Sequence, residues 1–262
     1  MADRETRRQP GREPSVIVNV IEVLRCFTVD EPQQSVTGIS SQVGLHKSTV
    51  SRILATLEDE RIVERDEPSR RYQLGLGLIA VAGPLLANLD VRRVSLDELQ
   101  DLAAETAETA ALTIWDGESS VTVEQVASRL QVKHTSELGS RYSTGLSASV
   151  QVLLAHRPPG EAQRLLDTGR VTIPPSLSTE QHLDLLAQVR RQGFAVNHAQ
   201  TSADEAGVAA PVRDHRGEVV AAMMIAAPAF RVPETRIPEL VQLCRHSADR
   251  VSRRLGAAPQ PS

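Results

Sequence analysis

Lys47, Ser48, Thr49, Ser51 and Arg52 place two cationic donors and three small hydroxyls within six consecutive positions. That mixture suits a polyanion read at close range. Arg and Lys donate to guanine and phosphate, while small hydroxyls hydrogen-bond bases or backbone without blocking approach. In the same stretch Val50, Ile53, Leu54 and Leu57 recur at i, i+3, i+4 and i+7. This spacing predicts a helix from about Lys47 to Glu60 with one buried stripe, leaving the polar set outward near its amino end. Upstream, Thr37 is placed to cap a short helix carrying Ile39 and Val43, and Gly44 supplies a turn. Downstream, Ile62–Arg65 and Tyr72–Leu74 read as a hairpin around Asp66-Glu67-Pro68-Ser69, with Arg70 and Arg71 on it. Short helix, Gly turn, second helix and hairpin is the order of a winged helix-turn-helix, whose second helix presents its amino-terminal residues to the major groove of DNA. The competing reading is an ordinary helical pair with a solvated, charged face.

The elements around this reader divide the chain. Residues 1–14 form a charged arm, with a tail at 257–262, and 15–75 make a small domain whose first helix starts after Ser15 with Ile17, Val20, Ile21 and Leu24 on one face. Residues 76–92 form a linker helix, apolar on most sides from Leu76 to Asn88, that needs burial, either as an ordinary core helix or against a second copy; Pro84 should bend or break it. The larger domain, 93–256, opens on Ser95-Leu96-Asp97-Glu98, a capping-box pattern. Strands are expected at Ala111–Trp115 and Val121–Val126, joined by Asp116-Gly117, then at Leu130–Ser136, Phe194–His198, Val208–Arg213 and Val219–Ala226. Helices are expected at Ser147–Ala155, Glu161–Thr168, Thr179–Gln192 and Glu234–Leu255. Strands mixed with helices indicate an α+β domain.

Composition narrows the function. The chain has 262 residues, 40% of them apolar but only 2% aromatic, so its cores are aliphatic. Net charge is −4, and residues 1–72 hold eleven basic against twelve acidic side chains. A purely electrostatic DNA binder is disfavoured, whereas a specific one depends on charge placement. Glu58, Asp59 and Glu60 lie at the far end of the reading helix; the basic residues lie at its start, on the hairpin, and in the arm at Arg4, Arg7, Arg8 and Arg12. Cys26 and Cys244 lie in apolar helical patterns, as two buried reduced thiols would. No apolar run approaches the roughly 20 residues of a membrane helix. The first residues carry no secretory signal, and a cytoplasmic protein without membrane partners is expected. No GxSxG, HExxH or Walker-type motif is present. Cys244 and His246 stand at i and i+2 and point apart on a helix, and His182, His198 and His215 share no ligand spacing. No catalytic residue, metal or cofactor is expected.

The run GLHKSTVSRILATLEDERIVERD followed by RRYQLG resembles the IclR family of bacterial transcriptional regulators. The resemblance continues through LAAETAETAALTIWDGESSVTVEQV, VRRQGFAVNHAQ, VAAPVRDHRGEVVAAMMIAAPAFR and DRVSRRLG, from about Ser15 to Gly256. It implies a GAF-like effector-binding domain behind the DNA reader, a ligand-responsive repressor working as a dimer or dimer of dimers, and a double-stranded operator.

The residues themselves suggest where a ligand would sit. Ser147-Ala148-Ser149 opens a helix whose free backbone N–H groups suit a carboxylate, and the polar loop Thr201–Gly207 runs into the strand VAAPV. The bland alternative is a simple helix cap and a surface connection. The resemblance implies more: a cavity between sheet and helices for a small organic or aromatic acid, with Ser147, Ala148, Ser149, Asn197, Gly207, Met224 and Ala226 lining it and His134 and Tyr142 at its mouth. Gly207 stands where the family often has Cys, and Met224 and Ala226 where it can have Ser. GLSASVQVLLA lacks the His and Gly-Lys of the usual HATAxGKALLA. A less polar cavity follows, and an effector larger or more apolar than glyoxylate.

Overall fold

A computed structural model of the chain describes residues 15–28, 30–88 and 90–258. The arm 1–14, with Arg4, Arg7, Arg8 and Arg12, and the last four residues lie outside them. Two compact units are present, 1–88 and 89–262.

The first unit contains α1 (Val16–Leu24), α2 (Val36–Val43), α3 (Lys47–Asp59), β1 (Val63–Asp66), β2 (Arg71–Leu74) and α4 (Gly77–Asn88). Its core gathers Val23, Ile39, Val50, Ile53, Leu54, Val63 and Tyr72, so the predicted stripe of α3 is the one that is buried. The cap of α2 is Ser35 and not Thr37: its hydroxyl accepts from the Gly38 N–H at 3.0 Å. Gln34 and Tyr72 exchange backbone hydrogen bonds of 2.8 Å, which hold the chain extended up to Ser35 and start the helix one residue beyond it. Gly44 ends α2 at φ +66°, a left-handed position that a β-carbon would strain. The helix α4 is continuous through position 84, so Pro84 does not break it. A proline removes one bond of the ladder, and here the helix continues on either side.

The second unit is an α+β domain. Its elements are α5 (Asp90–Thr106), β3 (Thr109–Trp115), β4 (Ser120–Val126), β5 (Arg141–Tyr142), α6 (Ala148–Ala155), α7 (Glu161–Asp167), α8 (Thr179–Gln192), β6 (Ala195–His198), β7 (Glu205–Arg213), β8 (Val219–Pro228) and α9 (Ile237–Arg254). The sheet is antiparallel in the order β5-β4-β3-β8-β7-β6. Successive side chains alternate between its faces. Leu112, Val208, Ala210, Met223 and Ile225 pack with α5 and α9, and Ala111, Ala209, Ala222, Met224 and Ala226 with α6, α7 and α8.

Two expectations fail here. Ser95 does not open a helix: α5 begins at Asp90, and the Ser95 hydroxyl donates to the Val91 carbonyl at 2.6 Å inside it, the back-bonding that small hydroxyls adopt in helix interiors. Leu130–Ser136 is not a strand. The free edge of β4 is taken by residues 139–142, with Gly139 N–H donating to the Thr122 carbonyl at 2.8 Å and Ser120 and Val121 paired with β5. The β4 edge at 120–122 is therefore not open to 130–136.

A buried carboxylate closes one corner of this unit. Glu108, 1% exposed, receives both Arg231 (2.6 and 2.9 Å) and Arg236 (3.2 Å), tying the entry to β3 to the segment between β8 and α9. Glu108→Gln should destabilise the second unit by about 2–4 kcal/mol, below the full loss for a broken buried pair because both arginines keep some water. Urea unfolding checks this, and an unchanged midpoint would refute it.

Candidate functional site

The residues expected to face DNA stand on α3 and the hairpin. Lys47, Ser48, Thr49, Ser51 and Arg52 are all exposed, while Val50 between them is fully buried. The turn before α3 is held by the Ser40 hydroxyl donating to the Leu45 carbonyl at 2.7 Å. This aims the start of α3 outward from α2. Arg70, at φ +56°, and Arg71 lie exposed at the hairpin, and the Arg71 guanidinium donates to the Gln33 carbonyl at 3.4 Å. One residue escaped the sequence reading. His46 is the N-cap position of α3, exposed, with Nδ1 3.2 Å from the Ser48 hydroxyl. Its place immediately before Lys47 is the signal that would have found it.

Most of the residues expected to face an effector come together on the α6–α8 side of the sheet. Asn197, Gly207 and Ala226 are register partners across β6, β7 and β8, and Met224 lies one pleat along, beside Ala209 and Ala111. A β-carbon on Gly207 would come 3.8 Å from that of Ala148, so β7 lies directly under the start of α6. That start is deeply covered: Ser147 is 7% exposed, Ala148 2% and Ser149 0%. The Ser147 hydroxyl makes no cap hydrogen bond and instead lies 3.3 Å from that of Ser149. Buried first-turn N–H groups without a cap are unusual, because such groups carry partial positive charge and seek an acceptor. No side chain of α6 is charged.

His134 and Tyr142 stand apart from that cluster. His134 Nε2 is 3.5 Å from Glu205 Oε2. Glu205 in turn accepts from the Thr201 hydroxyl at 3.1 Å, and Thr201 from the Asn197 amide, so a polar chain joins His134 to the sheet floor. The hydrogen bond to Glu205 raises the His134 pKa, against desolvation and with the help of the carboxylate's charge. The same bond lowers that of Glu205, against burial. Tyr142, half-buried, reaches the Ser136 hydroxyl at 3.2 Å, which lies 2.7 Å from that of Thr122.

The floor is apolar at Gly207, Met224 and Ala226. Polar groups on this face lie at Asn197 on β6 and on β3 and β4. Thr113, facing Ala222 on β8 and Thr122 on β4, is fully buried with its hydroxyl unpartnered. Sequence reasoning missed Thr113, Thr122 and Ser136 because hydroxyls in a strand pattern look like ordinary strand residues. The larger clefts, about 500 Å³ against α9 and about 640 Å³ against α8, are lined by other side chains. Among the described residues no cluster of His, Cys, Asp and Glu could hold a metal ion, and no helix is long and apolar enough to cross a membrane.

Comparison with known proteins gives a consistent pattern. Residues 16–67 match the IclR helix-turn-helix domain, and 84–253 match the bacterial transcriptional regulator IclR C-terminal domain. The chain is 30% identical to the HTH-type transcriptional regulator KdgR of Escherichia coli over the full length of both. It is 28% identical to the HTH-type transcriptional repressor AllR of Salmonella typhimurium, over 99% of each chain. An IclR homolog from Microbacterium hydrocarbonoxydans, solved in complex with 4-hydroxybenzoate, shares the fold with a TM-score of 0.77 at 24% identity, over 93% of this chain and all of that one. The helix-turn-helix and its wing, the two-faced sheet domain that follows them in the chain and these likenesses have one explanation: the chain belongs to the IclR family of DNA-binding bacterial transcriptional regulators.

Proposed function

We propose that the chain is a cytoplasmic, non-enzymatic repressor that binds an inverted-repeat operator as a homodimer or dimer of dimers and responds to a small organic or aromatic acid. The observation that carries this reading is the start of α3, where five exposed donors surround a fully buried Val50. Lys47, Ser48, Thr49, Ser51 and Arg52 position or read bases, Arg70 and Arg71 contact phosphate, and the arm reaches an adjacent groove. The repressor role is supported by the likeness to AllR.

Self-association is supported by apolar side chains that the first unit leaves in water. Val16 and Ile17 on α1 are 72% and 71% exposed, and Leu76, Ile79 and Val81 at α4 are 74%, 59% and 68% exposed. Burying such a surface against a second copy is favourable. Paired readers then meet half-sites about one helical turn apart or a multiple of it, and α4 is the linker through which effector binding alters their placement. That coupling requires a ligand that binds the two arrangements with different affinity.

Ser147, Ala148, Ser149, Asn197, Gly207, Met224 and Ala226 form the proposed effector site, with His134 and Tyr142 at its mouth. The uncapped, buried start of α6 supports a carboxylate there. An aromatic acid remains in view through the structural neighbour that holds 4-hydroxybenzoate.

Selection of bound DNA from a random duplex pool, at stated salt, tests the whole reading. An enriched inverted repeat supports it; sequence-blind, salt-erased binding with and without added metabolite pools defeats it. On the selected operator, Arg52→Ala should weaken binding by about 1–3 kcal/mol in a fluorescence anisotropy titration, and unchanged affinity would remove Arg52 from base reading. Ser147→Leu should abolish the response to a panel of aliphatic and aromatic monocarboxylates while operator binding survives; a response equal to wild type would exclude Ser147 from the pocket. The His134–Glu205 link has its own pH window. The histidine's share is complete below its ordinary value of about 6.5 and is lost as pH rises through the raised one. The carboxylate's share is present above about 4.5 and is lost as pH falls through the lowered one. Proton NMR should find the His134 midpoint above the free-imidazole value and returning toward it in Glu205→Gln, whereas a midpoint indifferent to that substitution would show the pair is not formed.

A further inference from the structure

His182, Leu186 and Val189 form the buried stripe of α8 at i, i+4 and i+7. Leu186 and Val189 belong to the same cluster as Ala148, Ala209, Met224 and Ala226, so the stripe faces the proposed effector side of the sheet. Its first member is unlike the other two. The His182 ring is fully buried, and neither ring nitrogen has a hydrogen-bond partner. A neutral imidazole carries one N–H donor and one lone-pair nitrogen, and buried groups of this kind are nearly always paired.

The ring lies against the turn that delivers α6. A β-carbon on Gly145 would fall 2.9 Å from His182 Nε2 and from the Ile173 side chain, so a larger residue there would push the ring or Ile173 aside. Gly145 sits inside the turn in which the Ser147 N–H donates to the Thr144 carbonyl at 2.9 Å. Immediately after it come the first-turn N–H groups of α6, buried and without a side-chain cap from Ser147. Two independent features therefore meet near one turn, an unpartnered imidazole and a helix start without a side-chain cap. Burial lowers the imidazole's pKa and keeps the ring neutral.

We infer that His182 is a ligand-recognition residue, which together with the first-turn N–H groups of α6 receives the carboxylate of a monocarboxylic acid whose apolar body lies over Ala209, Met224 and Ala226. The inference rests on the effector site proposed above and adds a residue and a ligand class to it. The helix start supplies partial positive charge and several donors for one carboxylate, and the imidazole N–H supplies one more with a fixed direction. The floor offers no side-chain donor at Gly207, Met224 or Ala226. A second carboxylate over it would be desolvated without compensation. The corner thus selects against dicarboxylates of similar size.

The test uses the full chain with ¹⁵N-labelled histidine and three probes: benzoate, 4-hydroxybenzoate and phthalate. Benzoate or 4-hydroxybenzoate should bind by calorimetry and move the ring-nitrogen resonances of His182. His182→Phe should weaken that binding at least tenfold while operator affinity stays unchanged, His182→Asn should recover part of the loss, and phthalate should bind at least tenfold more weakly than benzoate. Should His182→Phe fail to fold, the ring-nitrogen shift in the wild-type chain decides alone. Binding that Ser147→Leu abolishes, but that leaves the His182 resonances in place and survives His182→Phe, would overturn the role of His182 and leave the effector site standing. If neither monocarboxylate binds the wild type, both fall together.

Discussion

The second unit is organised around a sheet buried on both faces. In β7 and β8 nearly every residue from Ala206 to Val212 and from Ala221 to Pro228 is covered, so each pleat must satisfy helices above and below at once. A strand in that position cannot alternate apolar with polar; it becomes a run of small and aliphatic side chains, as in AGVAAPV and AAMMIAAP. Alanines on one face let α6 descend close to the strands, while Val208, Met223 and Ile225 fill the other face against α5 and α9.

The two sides of that sheet are finished differently. Towards α5 and α9 the polar groups are paired: Glu98 holds Arg250 and Arg254, Glu108 holds Arg231 and Arg236, and the Cys244 thiol, with its pKa pushed up to about 12 by burial, packs as an apolar group. Towards α6 and α8 some are not. The start of α6 has no side-chain cap, and Thr113 and His182 have buried polar atoms without partners. Unpaired buried polar groups cost stability, and a fold tolerates them where something else supplies the partner. That asymmetry is the ground on which the effector site is proposed for the α6–α8 face.

In the first unit the governing constraint is the separation of two jobs on a single helix. Val50, Ile53 and Leu54 hold α3 to the core, and the donors between and before them face water. Placement makes this possible in a segment that is not basic overall. The acidic cluster Glu58-Asp59-Glu60 lies more than a turn beyond Arg52, and a screened charge at that distance weighs little against the donors proposed to meet DNA.

Local signals determined a good deal by themselves. The 3.6-residue period of Val50, Ile53 and Leu54, the Gly44 turn, the Asp116-Gly117 hairpin and the extent of α8 can all be read from a few consecutive residues, because each rests on interactions within one or two turns of chain. The resemblance in GLHKSTVSRILATLEDERIVERD and in the runs of the second domain supplied the family, together with Asn197, Met224, Ala226, His134 and Tyr142 as proposed site residues. What the tertiary structure decided depends on partners far away in the chain. Gln34 pairs with Tyr72 and thereby makes Ser35 the cap in place of Thr37. Residues 139–142 take the edge of β4 that Leu130–Ser136 would have needed. His182, which in sequence is only an isolated histidine on an apolar stripe, comes to lie against Gly145, thirty-seven residues earlier. Spacing along the chain reports the period of an element and its ends. It carries no information about which distant backbone or ring will occupy the remaining hydrogen-bonding surface, and in this protein those distant pairings are what shape the site.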